Sequence, residues 1–454
     1  MHSYLPTALI ASHFLAIGYL STVVVHTIFR SYAALPPSSN TRYRQPSRKT
    51  HVKTFTALAA ISLLSVFVYG MKFGSLSYQV WATERAVELP EEYASSFSVI
   101  SKATLTCHSL FGDKGAFRLG QHPGRIQIAR WLYETPLYRD ALEIVAETAR
   151  FSWWAQQLNV SVNSWSVYLA LEGQRRNISN LWAFLALAQL VGLSYAQNLF
   201  FLAVLLTPVP LPGNVRDLTR SSVPATSTWY SRVLENYFPT KPEGFLPKPG
   251  FYLGLLIANI ATTFLVPIAS NTPSFMDVAM LSKTLPFSFL VLPYIIPDRW
   301  GQVHTLPHSA HSTYLTLFRM IAYSSFALHS VSSGVALFKN TPDSTYYRHS
   351  LLRPLAEESR STLDRTTTAF SRVLGAIWEH PAVTAVGLDV ILSGLTLGTW
   401  AGIRGLDARD MCASSMPFIN TVAKVVEETA SEATETLSEI KDHTREATES
   451  VIAK

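Results

Sequence analysis

The run from Leu181 to Leu206 contains no charged residue. About 20 apolar residues suffice to carry a helix through the hydrocarbon core of a bilayer. The run therefore predicts a membrane span with length to spare, and the excess predicts a tilt or a bend. A soluble chain of 454 residues would divide into two or three domains, but only 15% of this one is charged and 48% is hydrophobic. An average soluble chain carries about 25% charge. The fold class expected is an all-α polytopic membrane protein.

Ahead of this run, Phe151 to Leu171 carries a polar and aromatic stripe at Trp153, Gln157, Ser161, Trp165, Tyr168 and Glu172. Steps of three and four residues keep the stripe on one side of a helix. Glu172, Arg175 and Arg176 then crowd into five residues between two apolar stretches. Six further spans follow from hydropathy: Leu5–Phe29, Thr54–Phe73, Phe251–Ile268, Met276–Ile296, Ala310–Leu337 and Ala382–Ile403. With Phe151–Leu171 and Leu181–Leu206 they make about eight. Pro286 and Pro293 predict a kink in the sixth. Tyr93–Leu110 is marginally apolar and carries Lys102 and His108; it stands outside the eight, with an extra span or a re-entrant segment as the alternative, and a crossing there would undo the sidedness below.

Four regions result: two N-terminal spans with a basic loop (1–73), a membrane-peripheral segment (74–150), a transmembrane core (151–405) and an acidic amphipathic tail (406–454). Pro136–Arg150 reads as an amphipathic surface helix. Arg30, Arg42, Arg44, Arg48, Lys49 and Lys53 follow the first span without an acid among them, which makes that loop cytoplasmic and the N-terminus lumenal. Eight crossings would also make the charged residues 339–380 cytoplasmic. The tail has a weak heptad-like seam through Ala430, Ala433, Leu437 and Ile440, better suited to a solvated helix than to a coiled coil, although self-association through it is open. The net charge of +6 is spread over loops instead of forming the aromatic-interleaved basic face of a nucleic-acid binder. The expected location is an internal membrane such as the endoplasmic reticulum.

Ionisable groups within spans are costly and mark candidate sites. Glu172, Lys283, His329 and Asp389 qualify, and with eight crossings all four fall in the same half of the bilayer. Glu172 has a bland reading as the partner of Arg175 or Arg176, and Lys283 and Arg319 read as snorkelling or paired. Asp389 has no basic residue within four positions; its bland reading is a carboxyl bonded to a neighbouring helix backbone. Its functional reading is a buried Brønsted acid, since burial without a cation disfavours the charged form. His304, His308 and His311 resemble one histidine box, but Pro307 spoils their spacing, and no metal is expected. Motifs for diphosphate ionisation, nucleotide binding and hydrolysis are missing, and no cofactor is expected.

The segments FSWWAQQ, LALEGQRRNISNLWAF, SYAQNLFF and WEHPAVTAVGLDVI resemble a family of fungal integral membrane terpene cyclases, of the macrophorin and ascochlorin–ascofuranone type. The resemblance covers roughly residues 140 to 405. It implies metal-independent cyclisation of a prenylated, lipophilic substrate, initiated by protonating a terminal alkene or epoxide. The residue reading fits that chemistry with Asp389 or Glu172 as the expected acid, Arg175, Arg176 and Gln157 as groups ordering the acid or a polar head, and Trp153, Trp165, Tyr168 and His329 as further substrate contacts. The alternatives are a secondary transporter for a lipophilic metabolite and a non-catalytic membrane scaffold.

Overall fold

The computed structural model describes residues 5–33, 45–87, 127–176, 178–207, 241, 245–303, 311–341 and 362–405. Tyr93–Leu110, His304, His308 and the acidic tail lie outside the described residues, as does the side chain of His311. The described residues are those of an all-α membrane protein, and among them six helical segments are long and apolar enough to cross a bilayer. These are α1 (Leu5–Ala33), α2 (Gln45–Glu84), α8 (Pro249–Ala269), the α9–α10 segment (Phe275–Thr284 and Ser288–Ile295), α11 (His311–Asn340) and α13 (Pro381–Ile403). Between α2 and α8 come α3 (Ile128–Glu134), α4 (Leu137–Glu147), α5 (Ala149–Arg175), α6 (Leu181–Leu190) and α7 (Leu193–Leu206); α12 (Thr362–Gly375) precedes α13.

Two of the eight expected spans differ from the rest. Phe151–Leu171 falls within α5, which has 27 residues but lacks the apolarity of a lipid-facing span. Its polar stripe is tolerated because α5 runs through the middle of the bundle, packed against α4, α8, α11 and α13. Thr148 starts it, its hydroxyl accepting a hydrogen bond from the amide of Phe151.

Leu181–Leu206 is not a span. It reverses at Val191–Gly192 into an antiparallel hairpin, α6 down and α7 back. Phe184 and Phe200 lie edge to face with centroids 5.6 Å apart, whereas 16 residues of continuous helix would separate them by about 24 Å. The other end of the hairpin closes as well. Arg176, just before α6, donates to the carbonyls of Val204 at 3.0 Å and Thr207 at 2.8 Å at the end of α7. The spare length thus becomes a reversal of direction instead of a tilt. A chain that turns inside hydrocarbon must hide its turn in protein, and 13 of the 14 residues of α7 are buried, among α1, α2, α5 and α13.

The hairpin changes the sidedness expected from eight crossings. The start of α1, the end of α2, α3, α4 and the starts of α5 and α13 gather at one end of the bundle: His13 lies against Tyr138, Phe73 against His380, and Val145 packs with Ala382 and Val383. The start of α2 and the ends of α5, α7 and α13 gather at the other, where Trp400 stacks on Phe201 at 4.5 Å beside Phe55. The end of α11 and α12 belong to the first end, through Trp153 to Ser333 and Arg372 to the Asn340 carbonyl. Residues 362–380 are therefore opposite the basic start of α2, not beside it. The cause is one reversal counted as a crossing.

Pro286 divides the α9–α10 segment with a 3-10 turn over Leu285–Phe287. α2 continues past Phe73 to Glu84, because Tyr78, Trp81 and Ala82 find partners in Trp131 and Leu132 of α3. Glu134 ties this contact, accepting from Trp81 Nε1 at 3.0 Å and from Arg130 Nε at 2.9 Å, with Arg85 at 3.2 Å. Burial alone would push the Glu134 carboxyl up, but Arg130 and Trp81 outweigh it and hold it below its ordinary value of 4.5. A carboxylate lowered on folding stabilises fully above its unfolded value. The contribution of this clasp should therefore be complete above pH 4.5 and fade as pH falls below it. Thermal melting between pH 3 and 6 should show a low-pH loss that is smaller in Glu134→Gln.

A candidate site at the tip of a buried hairpin

Asp389 meets the hairpin at its tip. Its Oδ2 accepts from the amide of Leu193 at 2.7 Å; its Oδ1 accepts from the amide of Ser194 at 2.8 Å and from the Ser194 hydroxyl at 2.6 Å. These are the first amides of α7, which have no partner within their own helix, so the Asp389 carboxyl from α13 caps α7. The residue is 3% exposed. It lies eight residues past Pro381, about 12 Å into the bundle at 1.5 Å per residue. Gly192 permits the approach: a Cβ there would lie 3.0 Å from Oδ1 and 3.1 Å from Cγ and Oδ2. Gly192→Ala should lower thermal stability by about 1–3 kcal/mol, as overpacking does, with a correspondingly earlier melt of the purified protein.

A polar ladder continues from the tip along α7 and α13. Ser393 donates to Gln197 Oε1 at 2.8 Å, and Asn198 donates to Thr396 Oγ1 at 2.9 Å and to the Ser194 carbonyl at 2.8 Å. Such contacts join helices where apolar burial gives no preference. Asn198 Oδ1 is buried without a hydrogen-bond partner among the described residues. Lys283, on α9, lies within electrostatic range of Asp389. The cation missing from the local sequence therefore comes from a distant helix.

Glu172 does not share this site. It pairs with Arg176 Nε at the other end of α7, so the two carboxyls are separated by the length of a 14-residue helix, roughly 20 Å. The four ionisable groups do not occupy one half of the bundle: Glu172 is at one end, and Asp389, Lys283 and His329 are nearer the middle. Both expected bland readings describe the contacts made, Glu172 to Arg176 and Asp389 to a helix backbone. Arg175 closes α5, and its side chain lies outside the description.

The α5 stripe is split between two neighbours. Trp165 and Tyr168 turn to the hairpin, each edge-on to Phe200 at 6.1 and 5.9 Å. The buried indole N–H of Trp165 has no hydrogen-bond partner among the described residues. Trp153 and Gln157 turn to α11: Trp153 Nε1 donates to Ser333 at 3.0 Å, and Gln157 Oε1 lies 2.8 Å from His329 Nδ1. Ser194, Gln197, Asn198, Ser393 and Thr396 were not anticipated. Their signal is the step of four and three from Asp389 to Ser393 to Thr396, which lines one face of an apolar helix with polar groups.

Among the described residues no group of three or more His, Cys, Asp or Glu is placed to hold a metal ion. No protein-family model, curated protein or solved structure matches the chain.

Proposed function

We propose that the protein is a membrane-embedded terpene cyclase that works without a metal, starting ring closure of a prenyl chain by proton transfer from Asp389. The observation that carries this reading is the placement of one carboxyl deep in the bundle, with three hydrogen-bond donors converging on it. Those donors are in position to receive the negative charge left when a proton departs, and they need no reorganisation to do so. A carbocation held in the bundle needs aromatic faces and little water; Phe184, Phe200 and Trp165 cluster in the buried core about two turns along the hairpin from its tip. The segment resemblances point to the same chemistry. In this reading Glu172, held by Arg176, orders one end of the hairpin and gives up no proton.

The re-entrant hairpin favours a second reading, a secondary transporter for a lipophilic metabolite. Interrupted helices whose ends meet near mid-membrane are what transporters use to hold substrate. Here the tip's amides are filled by the chain's own Asp389, whereas a transporter leaves them for its cargo. That difference favours the cyclase.

Microsomes containing the protein, given a farnesylated phenol or its epoxide, should yield an isomer of unchanged mass and altered retention. Glu172→Gln should retain most of that activity per folded molecule. Accumulation of unaltered substrate inside sealed vesicles, with no isomer formed, would support the transporter and end the cyclase reading.

A further inference from the structure

The seam between α5 and α11 contains a histidine whose proton position is fixed by its neighbours. Ser332 Oγ donates to the His329 carbonyl at 3.1 Å, so its only hydrogen is committed. Gln157 Nε2 then donates to Ser332 Oγ at 3.2 Å, which turns the amide oxygen of Gln157 toward His329. That oxygen can only accept, so Nδ1 of His329 donates to it across 2.8 Å. A neutral imidazole with its proton on Nδ1 presents Nε2 as an acceptor.

Among the described residues Nε2 has no partner, and the ring is exposed. It also lies deep. The apolar part of α11 runs from Leu315 to Asn340, and His329 is about 16 Å from its nearer end at 1.5 Å per residue. An acceptor left bare in hydrocarbon is costly, and phospholipid head groups do not reach that depth. Beside it stands Trp153, its ring centroid 6.3 Å from the imidazole and its own N–H already spent on Ser333. A further hydrogen-bonding group in this seam would therefore meet an acceptor backed by an aromatic face.

We infer that the α5–α11 seam is a binding site for a neutral lipophile bearing a hydroxyl, which reaches it laterally from the bilayer and donates to His329 Nε2. Gln157 and Ser332 are positioning residues that hold the proton of the neutral ring on Nδ1 and so leave Nε2 as the outward acceptor. The site is distinct from the hairpin tip and does not depend on cyclisation there.

The test uses the full-length protein in nanodiscs, with radiolabelled farnesol and with farnesyl methyl ether, which keeps the chain and loses the donor. Uptake by empty nanodiscs is subtracted. Farnesol should bind about tenfold more tightly than the ether, the effect of one hydrogen bond. His329→Phe should bring the two to equal affinity while leaving ether binding nearly unchanged. Gln157→Leu should narrow the gap, because Nδ1 then loses the acceptor that holds its proton. Equal binding of alcohol and ether by the unaltered protein would overturn the site, as would a preference that survives His329→Phe. Cyclisation measured in parallel is a separate readout: its failure would remove the proposed reaction and leave this site standing.

Discussion

Asp389→Asn should abolish ring closure and, at the same time, loosen the hairpin. Asparagine keeps one oxygen, which best serves the two donors of Ser194. Its NH2 group then faces the amide of Leu193, donor against donor, where Oδ2 accepts a 2.7 Å bond. Leaving a buried N–H unpaired costs about 1–3 kcal/mol. The substitution is therefore not silent for folding, although asparagine and a neutral carboxyl have nearly the same size. Turnover should fall by the roughly 10²–10⁴-fold that general acid catalysis contributes, and must be expressed per folded molecule. Ser194→Ala provides the comparison, removing one donor from the same cap while keeping the acid. If Asp389→Asn retains near-full turnover while Glu172→Gln loses it, the proton comes from Glu172. If both variants turn over normally, neither carboxyl is the acid and the proposed cyclisation fails.

The second large effect is expected at Arg176. One guanidinium pairs with Glu172 and donates to two carbonyls at the end of α7, and the residue is 6% exposed. Arg176→Leu takes the cation from Glu172 and opens both carbonyls, so the loss should resemble that of breaking a buried pair, about 3–5 kcal/mol. Lysine should not rescue it, because a single ammonium lacks the planar fork that serves three acceptors. Adding Glu172→Gln to Arg176→Leu should recover part of the loss, since the acid from which Arg176 was removed is then neutral. Melting of the single and double variants in one detergent measures that coupling. Strictly additive losses would mean that the pair contributes little.

Much of the bundle could be read from the chain. The six spans follow from apolar length, and the break at Pro286 from the chemistry of proline. The stripe on α5 was visible in its spacing, but not its division between α11 and the hairpin, since periodicity identifies a face without naming what covers it. The hairpin was not legible. An uncharged run the length of Leu181–Leu206 satisfies the hydropathy of a span whether or not it turns. What decides is a tertiary contact: Gly192 can sit in the turn because Asp389, remote in sequence, supplies the acceptors that a reversing helix needs. The same separation hid the character of Asp389. Its neighbours in sequence are apolar, and its donors and the cation within electrostatic range come from α7 and α9.

The clasp at the hairpin tip also has a consequence for biogenesis. The amide of Leu193 and its acceptor are 196 residues apart, so α7 leaves the ribosome long before α13 exists. Until α13 arrives, the tip has bare amides and no carboxylate to quiet them, a state that lipid does not tolerate. The hairpin must therefore wait near water, or borrow acceptors from the insertion machinery, and close only when α13 enters. A chain truncated before Asp389 would hold most of the described apolar helices and still lack the group that caps the hairpin's tip. Such a fragment would present its unfinished tip to the surveillance of the membrane in which it is made.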